Sequence, residues 1–222
     1  MAARGARSSA RPGKGRGAAR SIRPVQLRRR PHQARSERRV QEILDVTALL
    51  LERVGLNSLT TNLIAAELNI SVATLYHYFP NKQSILHVMG VRWLEEWQHA
   101  FDEIEQASRA RPGFARFING AIDHMLVVYR RQRGVLHLVQ AMFTIPELRE
   151  LDIRLDEHAV ARLREIFRRL GSRGTASELD RLARVYLKLC NALLPECVRQ
   201  QGPAAARTLR DLKSLLLSLL SR

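Results

Sequence analysis

At 222 residues, with 45% apolar and 26% charged side chains, the chain has the size and balance of a globular protein of one to two small domains. Arg, Glu, Asp or Lys interrupts every apolar run before it reaches the ~20 residues of a membrane span, and the start lacks a secretory signal's apolar core, so neither class is expected. The formal charge of +16 sits mainly in the first 40 residues, where thirteen Lys/Arg against one acid, Glu37, supply +12 and leave +4 for the rest; basic tails of this kind bind polyanions.

Residues 1–34 are rich in Arg, Gly, Ala, Ser and Pro and hold no acid. They cannot bury enough surface to offset the entropy of ordering, and are expected to form a disordered basic tail. Three readings of it stand open. It is an arm on a DNA backbone, a leader from an over-extended gene start, or an organelle transit peptide, the last disfavoured by Gly and Pro that spoil an import helix. From Ser36 onward the pattern is helical, without sustained two-residue alternation. A first helix over 36–54 lines up Val40, Ile43, Leu44, Thr47, Leu51 and Val54, and Gly55 stops it in a left-handed position. A short helix over 61–68, a turn at Asn69-Ile70 and a helix over 72–78 capped by Ser71 follow. Pro80 breaks that helix and Asn81 caps a long one reaching about residue 107. Further helices are expected over 114–132, 134–143, 146–170 (with Pro146 in the first turn), 177–200 and 204–220. The chain is thus expected to be all-α, with about nine helices. Cys190 and Cys197 fall seven residues apart in one helix, about 10 Å along its axis, too far for a disulfide and in keeping with reduced, cytoplasmic thiols.

The stretch from Thr60 to Phe79 carries the functional signal. A helix-turn-helix needs a small residue where two helices cross, a turn residue four positions later and an apolar residue six beyond that; Ala65, Asn69 and Leu75 meet all three. Asn tolerates the positive φ of such a turn next best after Gly. Chance helix pairs also meet this spacing, and the flanks supply the specificity. The run through Arg38-Arg39, Ile43-Leu44, Gly55-Leu56, Thr60-Thr61, Ile64-Ala65, Ser71-Val-Ala-Thr-Leu-Tyr-His-Tyr-Phe-Pro-Asn-Lys82 and Ile85-Leu86 closely resembles the tetracycline-repressor (TetR) family over about 50 residues. Asn69 in place of the usual Gly and Ala73 where Gly is common depart from the family pattern; the Ala73 methyl bears on which bases fit.

The resemblance implies a three-helix DNA-binding domain over 35–82, followed by a helical effector-binding and dimerisation bundle over 83–222. The major groove of duplex DNA accepts one helix, and 72–78 is short enough to lie in it, presenting Ser71, Val72, Ala73 and Thr74 from its first turn. The family's DNA-contacting positions fall on Thr61, Tyr76, His77 and Lys82. Arg35, Arg38 and Arg39 are placed to grip flanking phosphates, and Thr60 reads equally as a contact or as a helix cap. Phe79 reads as core. His77 also reads as simple surface.

The resemblance implies dimerisation through the last two long helices, and these carry wide apolar faces, Leu182, Val185, Tyr186, Leu189, Leu193 and Val198 on one and Leu209, Leu212, Leu215, Leu216, Leu219 and Leu220 on the other, as a four-helix homodimer interface needs. Pro195 is expected to kink the first of them. One recognition helix buries too little for tight binding, so two copies reading a pseudo-palindrome are expected. Candidate effector-binding residues are Trp93, Trp97, Phe117, His124, Met125, Gln140 and Phe143, with an apolar or amphipathic small molecule as the effector. No Cys-x-x-Cys, His-Glu-x-x-His, Gly-x-Ser-x-Gly or phosphate loop occurs, so no enzyme, metal or cofactor is expected. The leading reading is a cytoplasmic, homodimeric repressor released by its effector. An activator, or a low-specificity DNA binder dominated by the tail, is the alternative. A membrane-surface protein using the tail and the last helix is disfavoured, because that helix lacks a basic polar face.

Overall fold

A computed structural model describes residues 31–220, all of whose regular structure is helical. The segments are α1 (Pro31–Ser58), α2 (Thr61–Glu67), α3 (Val72–Tyr78), α4 (Lys82–Ser108), α5 (Phe114–Arg131), α6 (Val135–Thr144), α7 (Pro146–Arg169), α8 (Ala176–Arg199) and α9 (Gly202–Leu220). The expected tail lies outside the described residues as far as residue 30, while 31–34 belong to α1. That helix starts five residues before the expected position, its first residue being a proline suited to an opening turn. Gly55, at φ 73° and ψ 173°, ends its regular helical part, as only a residue without Cβ does readily. The other boundaries agree with the expected ones to within two residues. α8 runs on through Pro195.

Capping explains the sharp starts. Thr60, Ser71, Asn81 and Thr175 each accept the amide of the residue three positions on, and the last two complete reciprocal boxes with Ser84 and Glu178. The Thr175 amide, donating to the Glu178 carboxylate at 2.7 Å, and then the Thr175 hydroxyl hold that carboxyl below its usual range.

α1, α2 and α3 share the buried side chains Ile43, Leu51, Leu59, Ile64, Leu75 and Phe79. Thr47 is wholly buried on the apolar stripe of α1, and its hydroxyl is satisfied by the Ile43 carbonyl at 2.7 Å. In the bundle, α8 packs on α7, α5 and α9, and α4 on α5, α6 and α7. Arg162 of α7 clamps α4, reaching Asp102 at 2.6 Å and Glu105 at 2.7 Å while its guanidinium lies 4.6 Å from the Phe101 ring centroid. Both cysteines are free and buried; burial pushes the Cys190 thiol up to about 12, which makes it a poor nucleophile at neutral pH. Among the described residues no helix is long and apolar enough to cross a membrane.

Two links join the three-helix unit to the bundle. α4 is one, tied sideways to α1 by Arg92 donating to the Gln41 side chain at 2.6 Å. The other is α6, which packs on α1. The Gly134 amide donates to the Glu52 carboxylate at 2.9 Å, and a Cβ on Gly134 would sit 3.0 Å from the Ala48 carbonyl oxygen. With φ at 68°, that position combines a close backbone approach and a left-handed conformation.

Leu75 is fully buried in the three-helix unit. Leu75→Ala is expected to cost about 2–5 kcal/mol, measured by chemical denaturation; a loss below about 1 kcal/mol would show that α3 does not depend on this contact.

Candidate nucleic-acid interface

The site is built on the α2–turn–α3 unit. Ile64 and Ala65 of α2 and Leu75 of α3 are each at most 1% exposed, so the small residue at the crossing and the apolar residue of the second helix meet inside. Between them the chain turns at Asn69, whose φ is 52°, and the Ile70 amide donates to the Ala65 carbonyl at 3.0 Å. Asparagine thus does here what glycine does at other such turns.

With one side of α3 buried, the other side is turned outward. Ala73, Thr74, Tyr76 and His77 are exposed, as is the capping Ser71, and Val72 is half-buried. The Ser71 hydroxyl accepts the Thr74 amide at 3.0 Å and lies 2.8 Å from the Thr74 hydroxyl, which fixes both polar groups of the first turn. Tyr76 is 49% exposed, and its hydroxyl is 3.2 Å from that of Thr61, tying the outer face of α3 to the start of α2. Thr60 is exposed and its hydroxyl accepts the Leu63 amide at 3.1 Å, so it acts as the α2 cap. None of the eight candidate positions at 60, 61, 71–74, 76 and 77 is buried, and the Thr61–Tyr76 contact joins those of α2 to those of α3. Phe79 is 5% exposed and belongs to the core.

Four basic candidates lie outside α2 and α3, three near the start of α1 and one at the start of α4. Arg35 and Arg38 are exposed with no acidic partner among the described residues, while Arg39 pairs with Glu42 at 2.9 Å. Lys82 is placed differently from the expectation. Its ammonium donates to the carbonyls of Leu59 at 2.9 Å and Leu56 at 3.2 Å, closing the α1–α2 loop onto the start of α4. Two of its three N–H donors are thereby engaged, leaving one for a phosphate. The sequence offered no sign of the exposed pair between Arg53 and Glu67, at 2.7 Å, which links α1 to α2; the Arg53 side chain holds the Glu67 carboxyl below its usual range.

The effector candidates do not converge on one place. Trp93, Trp97 and Phe143 line a cavity of about 60 Å³ among α4–α8, which also takes in Tyr129, Asp152 and Asp156. Trp97 and Met125 border an adjoining apolar pocket of about 30 Å³. Phe117 and His124 line a separate groove of about 410 Å³ between the end of α4 and α5, where His124 meets Glu103 at 3.1 Å. Gln140 is exposed and borders none of these three. Asp152 and Asp156 escaped the sequence reading because α7 is highly charged, and a carboxylate pair one turn apart there looks like any solvated face.

Comparison with known proteins agrees with this architecture. The family description "Bacterial regulatory proteins, tetR family" matches residues 43–89, and "Tetracyclin repressor-like, C-terminal domain" matches residues 114–220. A nucleoid occlusion factor, SlmA of Pasteurella multocida, is 30% identical over 115 residues, covering 50% of this chain and 56% of that protein. The chain thus spans about half the length of that curated relative. Among solved structures, the TetR-family regulator PfmR of Thermus thermophilus has a TM-score of 0.60 at 21% identity, over 79% of this chain and 97% of that one. AibR, solved with isovaleryl coenzyme A and operator DNA, has a TM-score of 0.62 at 16% identity, over 81% and 98%; both likenesses concern the fold. With a helix-turn-helix whose second helix is buried on one side and exposed on the other, and both halves matched by the same family, the chain belongs to the TetR family of DNA-binding transcriptional regulators.

Proposed function

We propose that this regulator is a cytoplasmic homodimeric repressor, bound to a pseudo-palindromic operator through α3 and released by a small effector held in the helical bundle. The observation that carries this reading is the two-sided character of α3, buried through Leu75 and outwardly lined by small, hydroxyl and aromatic groups. Such a face suits a major groove: the hydroxyls of Ser71 and Thr74 meet phosphates or base edges, and the methyls of Val72 and Ala73 meet a thymine methyl. Thr61, Tyr76 and His77 extend that contact along the groove edge. Arg35, Arg38 and Arg39 grip the flanking backbone, with the one free Lys82 donor beside them.

Dimerisation is supported by apolar surface left open on the last two helices. Val185 of α8 and Leu215 of α9 are 37% and 50% exposed, with Leu189, Leu193 and Leu219 half-buried beside them. Two copies of this face form the four-helix interface that the sequence pattern suggests. Release follows from the packing. An effector among α4–α8 presses on α6, whose first turn is seated against α1 through Gly134 and Glu52, and on α4, which follows α3 after a short turn over residues 79–81. The operator-competent state is depopulated only by the ligand's differential affinity for the two arrangements, and each 1.4 kcal/mol is about tenfold.

The basic start of the chain favours one other reading, a low-specificity DNA binder with a steep salt dependence. The full chain, mixed with sheared genomic DNA at about 150 mM salt, is expected to retain a few palindromic sites. Uniform retention of all fragments would sink the operator reading and support the alternative. On the recovered operator, Tyr76→Ala is expected to weaken binding by about 1–3 kcal/mol, read by fluorescence anisotropy; unchanged affinity would remove Tyr76 from the interface. Joint Val185→Lys and Leu215→Lys substitution is expected to give a monomer by light scattering and to weaken operator binding by about 100-fold or more. A dimer that survives both charges would place the interface elsewhere.

A further inference from the structure

The cavity among α4–α8 has an unusual wall. Trp93 and Trp97 of α4 stand one turn apart on it, Trp93 meets Tyr129 of α5 edge to face at 4.8 Å between centroids, and Phe143 of α6 lies at 65% exposure. Against these aromatic faces α7 sets two carboxylates, Asp152 and Asp156. Asp156 is met by Lys188 of α8 at 3.2 Å. Asp152 is half-buried and has no cationic partner in an ion pair among the described residues. Burial, then the neighbouring Asp156, pushes its carboxyl above the usual range, against the opposing but weaker effect of the Lys188 charge.

A second polar group is left without a partner at the same place. Tyr129 is 5% exposed, lines the cavity, and makes no hydrogen bond through its hydroxyl among the described residues. Burial, Cys190 and the two aspartates keep its phenol neutral. The hydroxyl is therefore open for a ligand to take up, and is not sealed away from water as the Ser172 hydroxyl is. A carboxylate and a phenol unpaired on one aromatic-walled cavity are complementary to a group that is positive and apolar together. Aromatic faces attract an organic cation, the carboxylate supplies the opposite charge, and the hydroxyl orients a polar N–H.

The geometry points to a hydrophobic organic cation, an aryl or alkyl ammonium, as the effector class, held by Asp152 with Trp93, Trp97 and Tyr129 around it. This inference rests on the proposed reading of the bundle as the effector domain and narrows it. Anions are disfavoured because two carboxylates face the same space. At about 60 Å³ the cavity holds only a couple of waters, so an ammonium with an aryl group enters by displacing its walls. α6 supplies Val139, Met142 and Phe143 to those walls and is the helix seated on α1, which joins occupancy to the DNA-binding unit.

The chain's two tryptophans both line this cavity, so intrinsic fluorescence reads it directly. The full-length protein is titrated with 4-phenylbutylammonium, 4-phenylbutanol and 4-phenylbutyrate, which share one apolar body and differ in charge. The ammonium is expected to quench at a concentration at least about tenfold below the alcohol, with the carboxylate weakest. Asp152→Asn is expected to abolish that preference, so that the ammonium no longer binds more tightly than the alcohol. Equal binding of the three, tightest binding of the carboxylate, no quenching by any of them, or an Asp152→Asn protein that still prefers the ammonium would overturn the assignment. The same probes added to the operator complex separate this failure from that of the release reading. Cation-selective quenching with the operator complex intact upholds the site and defeats release by it. Operator release by the alcohol or the carboxylate alone upholds release and defeats the cation.

Discussion

A helix of seven residues has no stability of its own in water, and the recognition surface depends on overcoming that. Leu75, fully buried in the core that α3 shares with α1 and α2, supplies the anchorage. Ser71 closes the first turn and Phe79 the last. Because this anchorage uses one side of α3, the other side is free for small and hydroxyl groups. Rigidity comes from neighbours: the Tyr76–Thr61 contact ties α3 to α2, and Lys82 draws the α1–α2 loop onto α4. Lys82 shows how a cation can serve an interface indirectly, by holding its frame.

The same economy of contacts governs the junction with the bundle. A close-packed interior does not deform smoothly, so a helix seated against another moves with it or breaks contact. The first turn of α6 is seated on α1 where Gly134 admits the Ala48 carbonyl and Glu52 takes its amide, and Val139, Met142 and Phe143 farther along α6 line the cavity. One ten-residue helix therefore touches both halves of the molecule. α4 joins them along the chain and, through Arg92 and Gln41, across it. On the proposed reading, these two helices are where a ligand's differential affinity becomes a change at α3.

Much of this was legible along the chain. Gly55, Pro80, Asn81 and Pro146 each sit at a helix boundary because backbone conformation and capping depend on residues a few positions apart. The spacing of Ala65, Asn69 and Leu75 placed the helix-turn-helix, and the structure returns the expected burial and the positive φ at Asn69. The sequence by itself thus determined the helices, their order and the motif. Only the tertiary structure decided which distant side chains share a space. It set Lys82 on carbonyls more than twenty residues away, divided Trp93, Phe117 and Gln140 among separate places, and turned Asp152 from one more charge on a charged helix into an unpaired carboxylate facing aromatic rings. The reason is geometric. A turn is written by neighbours in the chain, whereas a cavity is written by the facing sides of five helices whose angles no local pattern records.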